Sequence, residues 1–269
     1  MFGKLMKHEL RQTGRTMLPM LGGYLVLALA AAGVNGLNVH FSASGAGPVL
    51  QILSALTLFL LILAVLALMV VVMVLCVQRF YRMLGDEGYL AFSLPVTPAQ
   101  HIGAKLLCAV LWTLAALVAV AFSMFLQAVP FFFAAPVAVW ESASPLPWPF
   151  ILALVLMALA GLSYVYLSVY LSCAVGGRWP NSRLAASVGV WVALNVALQI
   201  LVMVAVIAAA LSPGLRASFL ALMSTAPQVD EALQIAALAL GCWTVLLGAL
   251  GAAYFFLTRW LLAKKLNLA

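Results

Sequence analysis

Residues 49–78 read VLQILSALTLFLLILAVLALMVVVMVLCVQ and contain no Asp, Glu, Lys or Arg. A helix crossing a hydrocarbon core of ~30 Å needs about 20 apolar residues. This run therefore spans a bilayer with length to spare, and its end is expected to project toward Arg79 and Arg82. Five further runs reach spanning length: residues 17–39, 107–135, 149–176, 184–211 and 232–258. Composition agrees, with 67% of the 269 residues hydrophobic and 7% charged, against about 25% charged in a soluble domain. Six acidic and thirteen basic residues cannot cover the surface of a water-soluble globule. The expected fold is all-α: a polytopic membrane protein with six transmembrane helices in one transmembrane domain over residues 1–269.

The cations test this division. Lys4, Lys7, Arg11 and Arg15 precede span 1, and Arg79, Arg82 and Lys105 lie between spans 2 and 3. Arg178 and Arg183 separate spans 4 and 5, while Arg259, Lys264 and Lys265 follow span 6. Only Arg216 of the thirteen falls in the alternate connections. Lys and Arg collect in cytoplasmic loops, so both termini are expected on the cytoplasmic side. The net charge of +7 is thus a topology signal and not a nucleic-acid footprint, and no nucleic-acid partner is expected.

The first sixteen residues have an order of their own. Phe2, Leu5, Met6, Leu10 and Met17 recur at helical spacing, with Lys4, Lys7, His8, Arg11 and Arg15 on the other face. That pattern suits an amphipathic helix in the inner interface, its cations near anionic headgroups of the lipid bilayer. A cleaved signal peptide is the competing reading, disfavoured because span 1 exceeds the usual 7–15-residue apolar core.

Absences narrow the chemistry. Glu9, Asp86, Glu87, Glu141, Asp230 and Glu231 all lie outside the expected cores, as do His8, His40 and His101. Proton-coupled carriers keep an ionisable group in their pathway, and intramembrane proteases need acids, bases or metal ligands within the spans. Cys76, Cys108, Cys173 and Cys242 are scattered singly, with no metal-binding or disulfide spacing. No Gly-x-x-x-x-Gly-Lys-Ser/Thr occurs, so any ATP site belongs to another polypeptide. No cofactor, no metal and no enzymatic activity of its own are expected of this chain.

The loop between spans 2 and 3 is the most informative segment. Asp86 and Glu87 suit the first turn of a short helix, which Pro95 discourages from continuing. Thr97-Pro98-Ala99-Gln100 then reads as a capping box, with Gln100 reaching back, and starts the helix that enters span 3. Tyr89, Leu90 and Phe92 make the short helix apolar on its watery side. Such a surface either docks in a partner's groove or packs on the protein's own helix ends.

Arg79-Phe-Tyr-Arg82, followed by Gly-Asp-Glu-Gly-Tyr-Leu-Ala-Phe-Ser-Leu-Pro-Val-Thr over residues 85–97, resembles the cytoplasmic loop of bacterial ABC type-2 transporter permeases. The basic leader Lys4-x-x-Lys7-x-Glu9-x-Arg11-x-Thr13-Gly14-Arg15-Thr16 is similar to the opening of the same family. Specific motif similarity is confined to residues 79–105, and the remainder is likeness of layout. The resemblance implies that residues 86–93 form a coupling helix, docking into a separate P-loop ATPase subunit through Asp86, Glu87, Tyr89, Leu90 and Phe92. It also implies a second permease subunit, as homodimer or heterodimer, alternating access, and a place in the bacterial cytoplasmic membrane.

Within the spans, Trp191, Asn195 and Gln199 recur at i, i+4 and i+8, with Ser187 one turn earlier. Amides in lipid need partners. This stripe either lines a translocation route or subunit interface, or makes ordinary helix–helix hydrogen bonds. Gln127 in span 3 admits both readings. Ser168 and Ser172 form a small-xxx-small pair suited to close helix packing. The expected function is the membrane subunit of an ATP-binding-cassette exporter. The alternatives are a scaffold or sensor whose loop binds a regulatory partner, and a passive channel or carrier.

Overall fold

The computed structural model describes residues 2–41, 47–84, 97–134, 147–179, 182–214 and 229–264. They form six long helices: α1 (Phe2–Phe41), α2 (Gly47–Met83), α3 (Pro98–Ala134), α4 (Trp148–Gly176), α5 (Arg183–Leu211) and α6 (Val229–Lys264). Each contains a stretch long and apolar enough to cross a membrane, and each expected span falls on one of them. The protein is an all-helical, multi-pass membrane protein. At 37 to 40 residues, α1, α2 and α3 are about 55–60 Å long at 1.5 Å per residue. They therefore outreach the hydrocarbon, as expected for α2.

The basic leader runs on into span 1 as a single helix instead of forming a separate one. Thr13, Gly14, Met17, Tyr24, Ala28, Ala31 and Asn35 are all buried on α1, at spacings of one, three, four and seven residues. One buried seam thus continues from leader into span and leaves no place for a break. Pro19 lies inside the helix; it has no N–H for the carbonyl of Arg15, a loss that spanning helices tolerate. Lys4, Lys7, Arg11 and Arg15 are exposed.

The start of α3 follows its sequence. The Thr97 N–H donates to Gln100 Oε1 at 3.3 Å, and the Thr97 carbonyl accepts from the N–H groups of Gln100 and His101. These are the reach-back half of the capping box and the first helical turn. Pro130 falls inside α3, within the expected span 107–135, while Pro147 is the N-cap of α4 and Trp148 opens it.

The chain divides into two compact units: Met1–Arg79 with Gly103–Ser144, and Phe80–Ile102 with Pro145–Ala269. In the first, α1 and α3 run parallel. Contacts at Thr13–Trp112, Tyr24–Ser123 and Asn35–Gln127 advance together along both helices. Against α2, α1 runs antiparallel, meeting Arg79 near its start and Ser54 near its end.

The Thr13 hydroxyl donates to the Glu9 carbonyl at 2.6 Å and accepts the Trp112 indole N–H at 2.8 Å. Its one proton is therefore committed, so Cys108 Sγ, 3.4 Å away, is the donor of that contact. The Trp112 ring lies beside Gly14, where a Cβ would still be 3.5 Å from it, an ordinary contact. Ser123 spends its proton on the Val120 carbonyl, so the Tyr24 hydroxyl donates to Ser123.

In the second unit, α4 packs against both α5 and α6. Residues 166–173 of α4 are buried around the whole circumference, whereas its first half is largely exposed. Gly251 of α6 faces Leu167 and the Tyr164 backbone, which a Cβ there would meet at ordinary contact distances of 3.6 and 4.0 Å, and the Tyr164 and Tyr254 rings lie 5.6 Å apart. The Phe80 and Tyr170 rings stack at 4.0 Å and 11°. Ser168 and Ser172 donate to the Val165 and Val169 carbonyls of their own helix. This leaves α4 without exposed hydroxyls at its most crowded level.

Candidate functional site

The residues implied as the docking helix, Asp86, Glu87, Tyr89, Leu90 and Phe92, lie outside the described residues. What is described is the chain on either side of them. Arg79, near the end of α2, and Lys105, near the start of α3, converge on one carboxylate of α1, that of Glu9. Lys105 Nζ is 2.9 Å from Glu9 Oε1, and Arg79 Nη1 is 3.3 Å from Glu9 Oε2. The same guanidinium nitrogen lies 3.4 Å from Gln12 Oε1. Side-chain exposure is 13% for Glu9 and Lys105 and 24% for Arg79, so the three charges are largely withdrawn from solvent.

This clasp has a net charge of +1 and joins the projecting parts of three helices. Exposed ion pairs contribute little to stability, but removing one partner of a withdrawn pair leaves an uncompensated charge. From the sequence Glu9 stands only as a member of the leader motif, the one acid among Lys4, Lys7, Arg11 and Arg15, with no site role attached to it. Arg79 and Lys105 are 70 and 96 residues away, and helix periodicity does not encode that meeting.

Gln127 is integrated into the first unit. Its Nε2 donates to the Ala28 carbonyl at 3.2 Å, and its own carbonyl accepts from Asn35 Nδ2 at 3.4 Å. It thus ties α3 to α1, the interface use of an amide. Its Oε1 is buried without a hydrogen-bond partner among the described residues.

The stripe on α5 divides. Asn195 Nδ2 donates to the Trp191 carbonyl of its own helix at 2.8 Å. Trp191 is half-buried, and its indole nitrogen has no hydrogen-bond partner among the described residues. Gln199, one turn further on, is exposed. Ser187 is buried and donates to the Arg183 carbonyl. Trp191 and Asn195 are therefore brought together locally, while Gln199 stands apart. Among the described residues no three His, Cys, Asp or Glu side chains gather as a metal site.

The arrangement defines a multi-pass helical membrane protein in which a charged clasp fixes both flanks of one connecting segment. No family model, no curated protein and no solved structure matches the chain.

Proposed function

We propose that this chain is the membrane-spanning subunit of an ATP-driven exporter, with hydrolysis on a separate P-loop ATPase subunit bound at residues 86–93. In this reading the termini are cytoplasmic, as the distribution of Lys and Arg favours. The protein resides in a bacterial cytoplasmic membrane, as the motif resemblance at residues 79–105 implies.

The observation that supports the reading most is the Glu9 clasp. A segment docked on a moving ATPase transmits force only if its ends are joined firmly to the spans. Arg79 and Lys105 bracket the resembling motif in sequence, and each holds the leader helix through Glu9. Movement of the segment is thereby passed to α1, α2 and α3 together. Alternating access then follows from shifts of helices already coupled at one end.

The reading is tested by gentle detergent purification from native membranes. Co-purification of a soluble ATPase, and its release by Tyr89→Ala with Phe92→Ala, is the expected result. Recovery of no ATPase, even after cross-linking, would place the chain among non-transport scaffolds whose loop binds a regulatory partner.

A further inference from the structure

Helices α4 and α5 have 29 residues each, about 43 Å at 1.5 Å per residue. That is the thickness of a bilayer with its headgroups, ~40–45 Å. The short turn that joins them therefore lies at the level of the lipid phosphates. Exposed tryptophans mark both levels, Trp148 at the start of α4 and Trp179 in the turn, as amphipathic rings do at the two membrane interfaces.

This turn carries two arginines. The Trp179 carbonyl accepts the Ser182 N–H at 3.3 Å, which draws the ends of the turn together. Arg178 and Arg183 stand one residue outside each end, so their Cα atoms are within ~15 Å of each other. Arg178 is exposed and Arg183 half-buried. Arg183 Nε is buried without a hydrogen-bond partner among the described residues, and neither guanidinium has an acid there. Helices α4 and α6 advance side by side, with Gly161 beside Leu247 and Tyr164 beside Gly251. Asp230 and Glu231, at the start of α6, therefore stand at the far end, roughly 45 Å along the helix. The exposed Arg259 instead approaches the turn and adds a third cation to this end. Arg79 and Lys105 share Glu9; the arginines of this turn have no carboxylate within reach among the described residues.

A buried guanidinium nitrogen needs an acceptor, and at this depth the bilayer supplies phosphates. A planar guanidinium pairs with two phosphate oxygens at once. A zwitterionic headgroup brings its own cation, so its phosphate is already compensated, whereas an acidic phospholipid keeps its negative charge. We propose that the α4–α5 turn is a binding site for one acidic phospholipid, its phosphodiester held by Arg178 and Arg183 beside Trp179. The site requires neither an ATPase nor transport, so it stands or falls independently of the exporter reading.

The test uses the full chain in phosphatidylcholine vesicles that contain a small fraction of phosphatidylglycerol with a photoactivatable headgroup. After irradiation, adducts are located by peptide mass spectrometry. The expected adduct falls within residues 176–184 and is displaced by unlabelled phosphatidylglycerol. Arg178→Gln, at an exposed position that leaves the fold intact, should reduce it about fivefold, the scale of one surface cation against acidic lipid. Arg183→Lys keeps the charge but loses the planar fork, and should reduce it less than Arg183→Gln. Lys4→Gln with Lys7→Gln in the leader should leave this adduct unchanged. Equal labelling by a phosphatidylcholine probe carrying the same group overturns the proposal, as does an adduct indifferent to both Arg178→Gln and Arg183→Gln. Displacement by millimolar inorganic phosphate would assign the turn to a soluble anion and overturns it too. So do adducts confined to residues 2–16.

Discussion

The Lys105 ammonium lies 2.9 Å from Glu9 Oε1, across 96 residues of chain, and Arg79 takes the other oxygen of the same carboxylate. One acid thereby fixes the relative positions of three helices at the end where their apolar character gives out. Glu9→Gln removes the charge but keeps the shape. It should lower stability by about 1–3 kcal/mol, between the values for exposed and buried pairs. Thermal unfolding in mild detergent reads the loss. Glu9→Lys should be worse, and Lys105→Glu added to it should recover part of the loss.

Gly176 and Gly14 should respond very differently to the same substitution. A Cβ at Gly176 would lie 2.6 Å from the Ser187 nitrogen and 2.7 Å from its Cα. Those are backbone atoms, so Gly176→Ala must push α4 and α5 apart, at a cost of about 3 kcal/mol or more. Adding Ser187→Ala should not rescue it. At Gly14 the nearest atom is the Trp112 ring at 3.5 Å, an ordinary contact, and Gly14→Ala should be close to neutral. Unfolding midpoints of the two variants decide the comparison.

Gln127→Leu tests the seam between α1 and α3 inside the membrane. It removes the bond to the Ala28 carbonyl and also the buried Oε1 that has no partner among the described residues. The two effects oppose each other, so the net loss should stay below about 1 kcal/mol, within the range for side-chain bonds in spans. Trp112→Phe, which deletes the indole N–H held by Thr13, should cost about as much as one hydrogen bond, near 1 kcal/mol.

Tyr170 and Phe80 are fully enclosed and stacked on one another. Tyr170→Ala should cost about 3–5 kcal/mol, since the void cannot close around a helix buried on every side. Loss of folded protein on size-exclusion chromatography is the expected readout, and Tyr170→Phe should retain the stack.

The sequence makes the spans legible because the bilayer imposes length and apolarity residue by residue, as in 49–78. The capping box is legible for a similar reason: Thr97 and Gln100 are three residues apart, and their geometry is local. The Glu9 clasp was not, because it depends on the register of α1 against α2 and α3. Nor did periodicity reveal that leader and span 1 form one helix, since the interfacial pattern of Lys4 to Arg15 fits either arrangement. The α5 stripe shows the limit differently. Trp191, Asn195 and Gln199 share a spacing, yet Asn195 turns back to its own backbone and Gln199 alone remains exposed.

The most direct test of the exporter reading is site-specific photo-cross-linking at Tyr89 in native membranes, followed by identification of the captured chain. The account predicts one dominant adduct, with a soluble P-loop ATPase, that is lost when Phe92→Ala is added. Adducts only with lipid, with this chain itself, or with a protein lacking an ATP site would contradict it.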